Sequence, residues 1–116
     1  MNKIEKLQRL LDLKITGIFD ENTIDIATEN SDKPEVIGWV QEFLNSLDHN
    51  VKVGNVTMLS HNSYYVTLSN KFDRATRDLL TYFQKEYGYE YLPIPITATL
   101  DHDTWKLIAT YCNKNN

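Results

Sequence analysis

Glycine is scarce in this chain, with four in 116 residues, alongside three prolines and one cysteine. Four scattered glycines leave no glycine-rich loop to cradle a phosphate. The single cysteine, Cys112, excludes a disulfide framework and a cysteine metal site, and a buried or unreactive thiol is its expected state. Nothing near it in the sequence would activate a nucleophile. The three histidines, His49, His61 and His102, lack His-Glu-x-x-His or similar ligand spacing, so no metal is expected. Positive charge is not in excess. Twelve Lys and Arg against sixteen Asp and Glu give a net charge of −4, which argues against nucleic acid as a partner. No apolar run approaches the length of a membrane helix, so no membrane partner is expected. Met1-Asn2-Lys3-Ile4 leads into a polar amphipathic pattern rather than a signal peptide. Sixteen carboxylates make close pairs inevitable, so Asp101 with Asp103, or Glu86 with Glu90, does not define a glycosidase pair. No catalytic residue and no cofactor are expected, and the chain is read as a non-enzyme.

What the chain does have is a phrase written three times. Residues 19–27 read Phe-Asp-Glu-Asn-Thr-Ile-Asp-Ile-Ala, residues 72–80 Phe-Asp-Arg-Ala-Thr-Arg-Asp-Leu-Leu, and residues 100–108 Leu-Asp-His-Asp-Thr-Trp-Lys-Leu-Ile. The first and third copies share a lead-in, Ile15-Thr16 and Ile96-Thr97. Each copy is a helix start. Asp20, Asp73 and Asp101 can accept hydrogen bonds from the free N–H groups of a first turn. Thr23, Thr76 and Thr104 then fall at N3, where a hydroxyl oxygen is expected to reach back to the cap N–H. The apolar residue before each Asp can staple onto N4, Phe19 onto Ile24 and Leu100 onto Trp105. The middle copy has Arg77 at N4, which weakens its staple.

Composition fits one compact domain, with 41% hydrophobic and 24% charged residues. Apolar spacing predicts helices at about 3–13, 20–28, 35–47, 73–87 and 101–111. Pro34 suits a first helical turn. Gly88 suits the C′ position of the fourth helix. Leu92-Pro93-Ile94-Pro95 reads as an extended crossing, and Asn113 to Asn116 are expected to fray. Between the third and fourth helices the helical period is lost. Val51, Val53 and Val56 alternate, as do Tyr64, Val66 and Leu68, which predicts a β-hairpin or ordered loop at about 49–70. The expected fold is therefore mainly α, a small bundle of about five helices with that insertion.

The same residues resemble a known family. Trp39-Val40-Gln41-Glu42-Phe43-Leu44, then Lys71-Phe72-Asp73-Arg74-Ala75-Thr76, then Tyr82-Phe83-Gln84-Lys85-Glu86-Tyr87-Gly88, and finally Thr97-Ala98-Thr99-Leu100-Asp101-His102-Asp103-Thr104-Trp105-Lys106-Leu107 follow one pattern. It is similar to the peptidoglycan-binding domain of the small three-helix type found in endolysins, amidases and carboxypeptidases. Ala98 stands where that family has glycine, and Asn70-Lys71 replaces glycines in a connection that is longer here. Leu7-Gln8 and Ile15-Thr16-Gly17-Ile18-Phe19-Asp20-Glu21-Asn22-Thr23 resemble the closing half of the same pattern. Residues 1–116 thus read as one domain, with an N-terminal half repeat at 3–30 and a peptidoglycan-binding-like module at 34–112. The half repeat cannot bury its apolar face alone and is expected to pack on the module.

The resemblance implies a non-catalytic module that binds the glycan or peptide of peptidoglycan. A groove beside the inserted loop and the start of the 73–87 helix is implied by it too. Tyr65, Phe72, Arg74, Tyr89 and Tyr91 are the candidate ligand-binding residues. Tyr89 and Tyr91 alternate on a stretch read as extended and are expected to share a face, suited to sugar or protein surfaces. A chain rich in Asn and Lys, with no hydrolase attached, fits a bacteriophage protein. It would be made in the host cytoplasm without a signal peptide and carried in the virion. The alternative is a structural protein of a phage tail or baseplate, whose partners are other proteins of a larger assembly.

Overall fold

The computed structural model describes residues 2–47 and 66–115. Among them are five helices: α1 Lys3–Leu10, α2 Glu21–Glu29, α3 Pro34–Ser46, α4 Arg74–Glu90 and α5 His102–Asn115. No strand occurs among the described residues. α1 lies on α3, α3 on α4, α4 on α5, and α5 on α2, so the N-terminal pair packs on the other three helices. The fold is a small helical bundle, as the apolar periodicity requires.

The core is an aromatic column. Trp39 and Trp105 stack at 5.9 Å, and Phe19 sits 6.3 Å from each. Phe43 stacks on Trp39 and meets Phe83 edge-on at 5.4 Å. Both indole N–H groups reach into the N-terminal repeat: Trp39 Nε1 donates to Lys3 O at 2.9 Å, and Trp105 Nε1 to Ser31 Oγ at 2.7 Å. The half repeat is thus held by apolar burial and by two directed bonds at its two ends.

The three Asp caps form as the repeat implies. Asp20, Asp73 and Asp101 each accept from the backbone N–H of the Thr three residues on, at 2.9, 3.0 and 2.9 Å. The threonine hydroxyls behave differently from expectation. They do not bond the cap N–H but donate to the Asp carboxylate, at 2.7, 2.7 and 2.6 Å. The reason is a buried glutamine in the preceding helix of each unit. Gln8, Gln41 and Gln84 donate Nε2 to Thr23, Thr76 and Thr104 Oγ1 at 3.2, 2.8 and 2.7 Å. The hydroxyl oxygen is taken by the amide, so its proton goes to the carboxylate.

The same amides fasten the loops. Their Nε2 groups also donate to the carbonyls of Ile18, Lys71 and Thr99. Their Oε1 atoms accept from the N–H groups of Gly17, Asn70 and Ala98, and Gln8 accepts from Thr16 as well. Those three loop residues all have positive φ, at 76°, 59° and 60°. The units also align a third lead-in, Leu68-Ser69, with Ile15-Thr16 and Ile96-Thr97; Ser69 Oγ accepts from Gln41 just as the two threonines accept from Gln8 and Gln84.

Several boundaries differ from the sequence expectation. α1 stops at Leu10, because Asp12 turns to φ 58° and Leu13 N–H folds back onto Gln8 O. α4 runs through Gly88 to Glu90, and Gly88 is a buried helical residue rather than a C′ turn. Pro93 is what ends it, since the residue before a proline is driven from the helical region. α5 continues to Asn115, and Asn113 does not fray. Its side chain takes both backbone groups of Phe19, accepting from N–H at 3.3 Å and donating to the carbonyl at 3.1 Å. Of the expected hairpin, residues 48–65 lie outside the described residues, and 66–70 carry no strand. There Asn45 pairs with both Val66 backbone groups, at 2.8 and 2.9 Å, in the place of a neighbouring strand.

Two reciprocal substitutions test this backbone account by urea unfolding. Ala98→Gly should raise stability by up to about 1 kcal/mol, since a Cβ at positive φ is strained. Gly88→Ala should be neutral or gain up to about 1 kcal/mol of helix propensity, because the added Cβ would meet Ile94 and Leu107 at an ordinary 3.8 and 3.9 Å. Destabilisation by Gly88→Ala would show that α4 ends where the sequence suggests.

Candidate ligand-binding cleft

The repeat is broken at one position, and a cleft lies there. At N4 the first and third units place Ile24 and Trp105 in the core. The second unit has Arg77, whose charge cannot be buried without a partner. It stays at the surface, and its guanidinium lies over the Phe72 ring, 5.8 Å from the centroid. Phe72 is the counterpart of Phe19, which is fully packed, but Phe72 is only partly buried. The space so left is a cleft of about 460 Å³ with Phe72 and Arg77 on one side and the 97–100 loop on another. Ser31 and Asp32, from the connection between α2 and α3, complete it.

Each wall is held by a named contact. Ser31 Oγ accepts from the Trp105 indole and donates to Ala27 O at 2.9 Å, which fixes the end of α2 beside the cleft. The 97–100 loop is held by Gln84 from below. Its hydroxyls are committed to Asp101: Thr97 Oγ1 donates to Oδ2 at 2.7 Å, and Thr99 Oγ1 lies 3.3 Å from the same oxygen. Thr97 further accepts from Gln84 and from the Thr99 N–H, so its lone pairs are used. Thr99 Oγ1 keeps acceptor capacity and is exposed at the cleft.

The candidate residues from the sequence do not come together. Phe72 lines the cleft. Arg74 points into solvent, its side chain 92% exposed and 3.9 Å from Asp78. Tyr65 lies outside the described residues. Tyr89 sits in the last turn of α4, 90% exposed. Seventeen residues separate it from Phe72, roughly 25 Å at the rise of a helix. Tyr91 is the C-cap of α4, stacked on Tyr87 at 6.2 Å and edge-on to Tyr111 at 5.2 Å, with Lys114 over its ring. Because α4 continues to Glu90, Tyr89 and Tyr91 do not share a face. The sequence missed Arg77, Asp32 and Thr99 as cleft residues. The signal was present in the repeat itself, as the one N4 position without an apolar residue.

The Asp caps are electrostatically distinct from ordinary carboxylates. The Thr23 hydroxyl, then its N–H, hold the Asp20 carboxyl below its usual range. The Thr76 hydroxyl and N–H do the same for Asp73. For Asp101, burial opposes ionisation, but the hydroxyls of Thr104 and Thr97 outweigh it and the net shift is downward. Burial pushes the Cys112 thiol up to about 12, so it is protonated and unreactive at neutral pH. Among the described residues no group of three or more His, Cys, Asp or Glu is placed to hold a metal. No helix among them is long and apolar enough to cross a membrane.

Comparison with family models, with curated proteins and with solved structures finds no match. The cleft must be read from its own chemistry and from the sequence resemblance.

The caps generate a pH dependence. Their folded pKa values lie below the unfolded value of 3.8, so their stabilisation is present above that value and is lost as pH falls through the folded ones. Stability from urea melts should fall steeply below about pH 4, and Asp20→Asn, Asp73→Asn and Asp101→Asn together should flatten that fall. An unchanged acid limb in the triple variant would show that other carboxylates govern it.

Proposed function

We propose that this protein is a non-catalytic module that binds bacterial peptidoglycan through the cleft at Phe72, Arg77 and Thr99. It is of bacteriophage origin and holds an assembly or a hydrolase at the wall. The observation that carries this reading is the break in the repeat: two copies fill N4 with core, and the copy that does not opens a cleft with an apolar floor and a polar rim. Such a site fits a wall ligand, with apolar contact supplying burial and a few polar groups fixing orientation. The resemblance to the peptidoglycan-binding domain supports it at one wall, since the groove implied there lies beside the same helix start, at Phe72 and Arg77, although the other walls are the 97–100 loop and Ser31-Asp32 rather than the inserted loop. Among the described residues no nucleophile, acid–base pair or metal set assembles in the cleft, and no wall hydrolysis is expected.

A second reading is a structural protein of a phage tail or baseplate. Ile15, Leu68 and Ile96 favour it, as exposed apolar side chains at equivalent places in the three loops. Tyr89 is a further exposed ring, suited to a protein contact.

Sedimentation with purified peptidoglycan separates the two. The wild type should be retained, weakly as a single copy and strongly when displayed in several. Phe72→Ala with Arg77→Gln should abolish retention, and Tyr89→Ala should leave it unchanged. Absence of wild-type retention even in multivalent form, together with recovery in a defined complex that Tyr89→Ala disrupts, would establish the structural role instead.

A further inference from the structure

We infer that the cleft takes the peptide part of the wall polymer, as a short zwitterionic peptide, rather than its glycan; this rests on the wall-binding reading above. The first observation is charge placement. Among the described residues Arg77 has no carboxylate partner and Asp32 no cationic one, yet both line the same cleft. The Arg77 guanidinium carbon lies 5.8 Å from the centroid of the Phe72 ring, and no carboxylate among the described residues takes its N–H donors. Those donors match a carboxylate in shape as well as charge. Asp32 follows Ser31, which the Trp105 indole and the Ala27 carbonyl clamp in place. Its carboxylate therefore comes from an anchored connection between α2 and α3, suited to an ammonium group.

The second observation concerns what a sugar would need. Among the described residues Phe72 is the one ring lining the cleft, and the Arg77 guanidinium lies 5.8 Å from its centroid, so a sugar stacking there would compete with the arginine. In the same lining, Ala98 and Leu100 offer apolar surface for small side chains. The third observation is polarity of hydrogen bonding. Thr97 Oγ1 donates to Asp101 Oδ2, and Thr99 Oγ1 lies 2.9 Å from Thr97 Oγ1 and 3.3 Å from the same carboxylate oxygen, so the hydroxyl protons are used within this group and Thr99 Oγ1 keeps acceptor capacity. A ligand must bring a donor there, which a peptide N–H does. A stem peptide with a side-chain amine and a free carboxylate carries all three features.

The test is titration of the full chain, followed by calorimetry or amide NMR, with four probes. They are a synthetic stem peptide with free lysine amine and free C-terminal carboxylate, its lysine-acetylated form, its C-terminal amide, and a peptide-free oligosaccharide of the wall glycan. The free peptide should bind, and each blocked form should bind about fivefold more weakly, the scale of one partly exposed ion pair. Arg77→Gln should erase the preference for the carboxylate over the amide, and Asp32→Asn the preference for the free amine; both residues are exposed, so the fold should survive. Equal binding of free and blocked peptides, or binding of the oligosaccharide alone, would overturn the inference. Wall retention without binding of any peptide would remove this inference and leave wall binding in place. Loss of both would remove the wall-binding reading as well.

Discussion

The side-chain amides of Gln8, Gln41 and Gln84 lie where solvent does not reach them, at 1%, 0% and 1% exposure. A buried amide has to satisfy both its donors and its acceptor inside the protein, because each unpaired group costs about 1–3 kcal/mol. Each of these three does so with the same set of atoms: a threonine hydroxyl, a loop carbonyl, a second hydroxyl and a loop N–H. The helix before the loop, the turn at positive φ and the first turn of the next helix are thereby tied to one side chain. A chain of donors runs from amide to hydroxyl to carboxylate, and each bond polarises the next. Ala98 illustrates the strength of the demand, because a non-glycine residue at φ 60° is strained and is held there by its N–H bond to Gln84.

Repetition of that unit explains both the bundle and its one irregularity. α4 ends the second unit and begins the third, so two loops are fastened to its two ends. The N-terminal unit stands apart and is joined through Phe19, the two indole bonds and the Asn113 clasp. Where the units agree, their N4 residues fill the core. Where they disagree, at Arg77, the core is interrupted and a cleft results, with Arg77 and Asp32 in its lining. The candidate site is thus a local departure from a pattern that the rest of the chain obeys.

Much of this could be read before any coordinates. The three Asp caps and the helix at Pro34 follow from spacing and capping chemistry, and the alignment of Gln8 with Gln84 follows from the family resemblance. The direction of the threonine hydroxyls did not, because it depends on a glutamine that is distant in sequence in every unit. Gly88 misled for a related reason: glycine near a helix end resembles a stop, but the stop is set by Pro93 and by packing along α4. A period of two places Tyr89 and Tyr91 on one face, and the extra turn of α4 to Glu90 places them on different faces. Asn113 gave no local signal at all, since its partner Phe19 is 94 residues away.

The direct test of the central constraint is Gln84→Leu, which keeps volume and adds hydrophobicity while removing every bond of the amide. Urea unfolding and amide hydrogen exchange should be read together. The account predicts a loss of about 3 kcal/mol, the cost of orphaned buried polar groups, and loss of protection at the Ala98 N–H, which bonds Gln84 Oε1 at 2.9 Å. Unchanged or raised stability, with the Ala98 N–H still protected, would contradict the claim that the buried amide holds the loop.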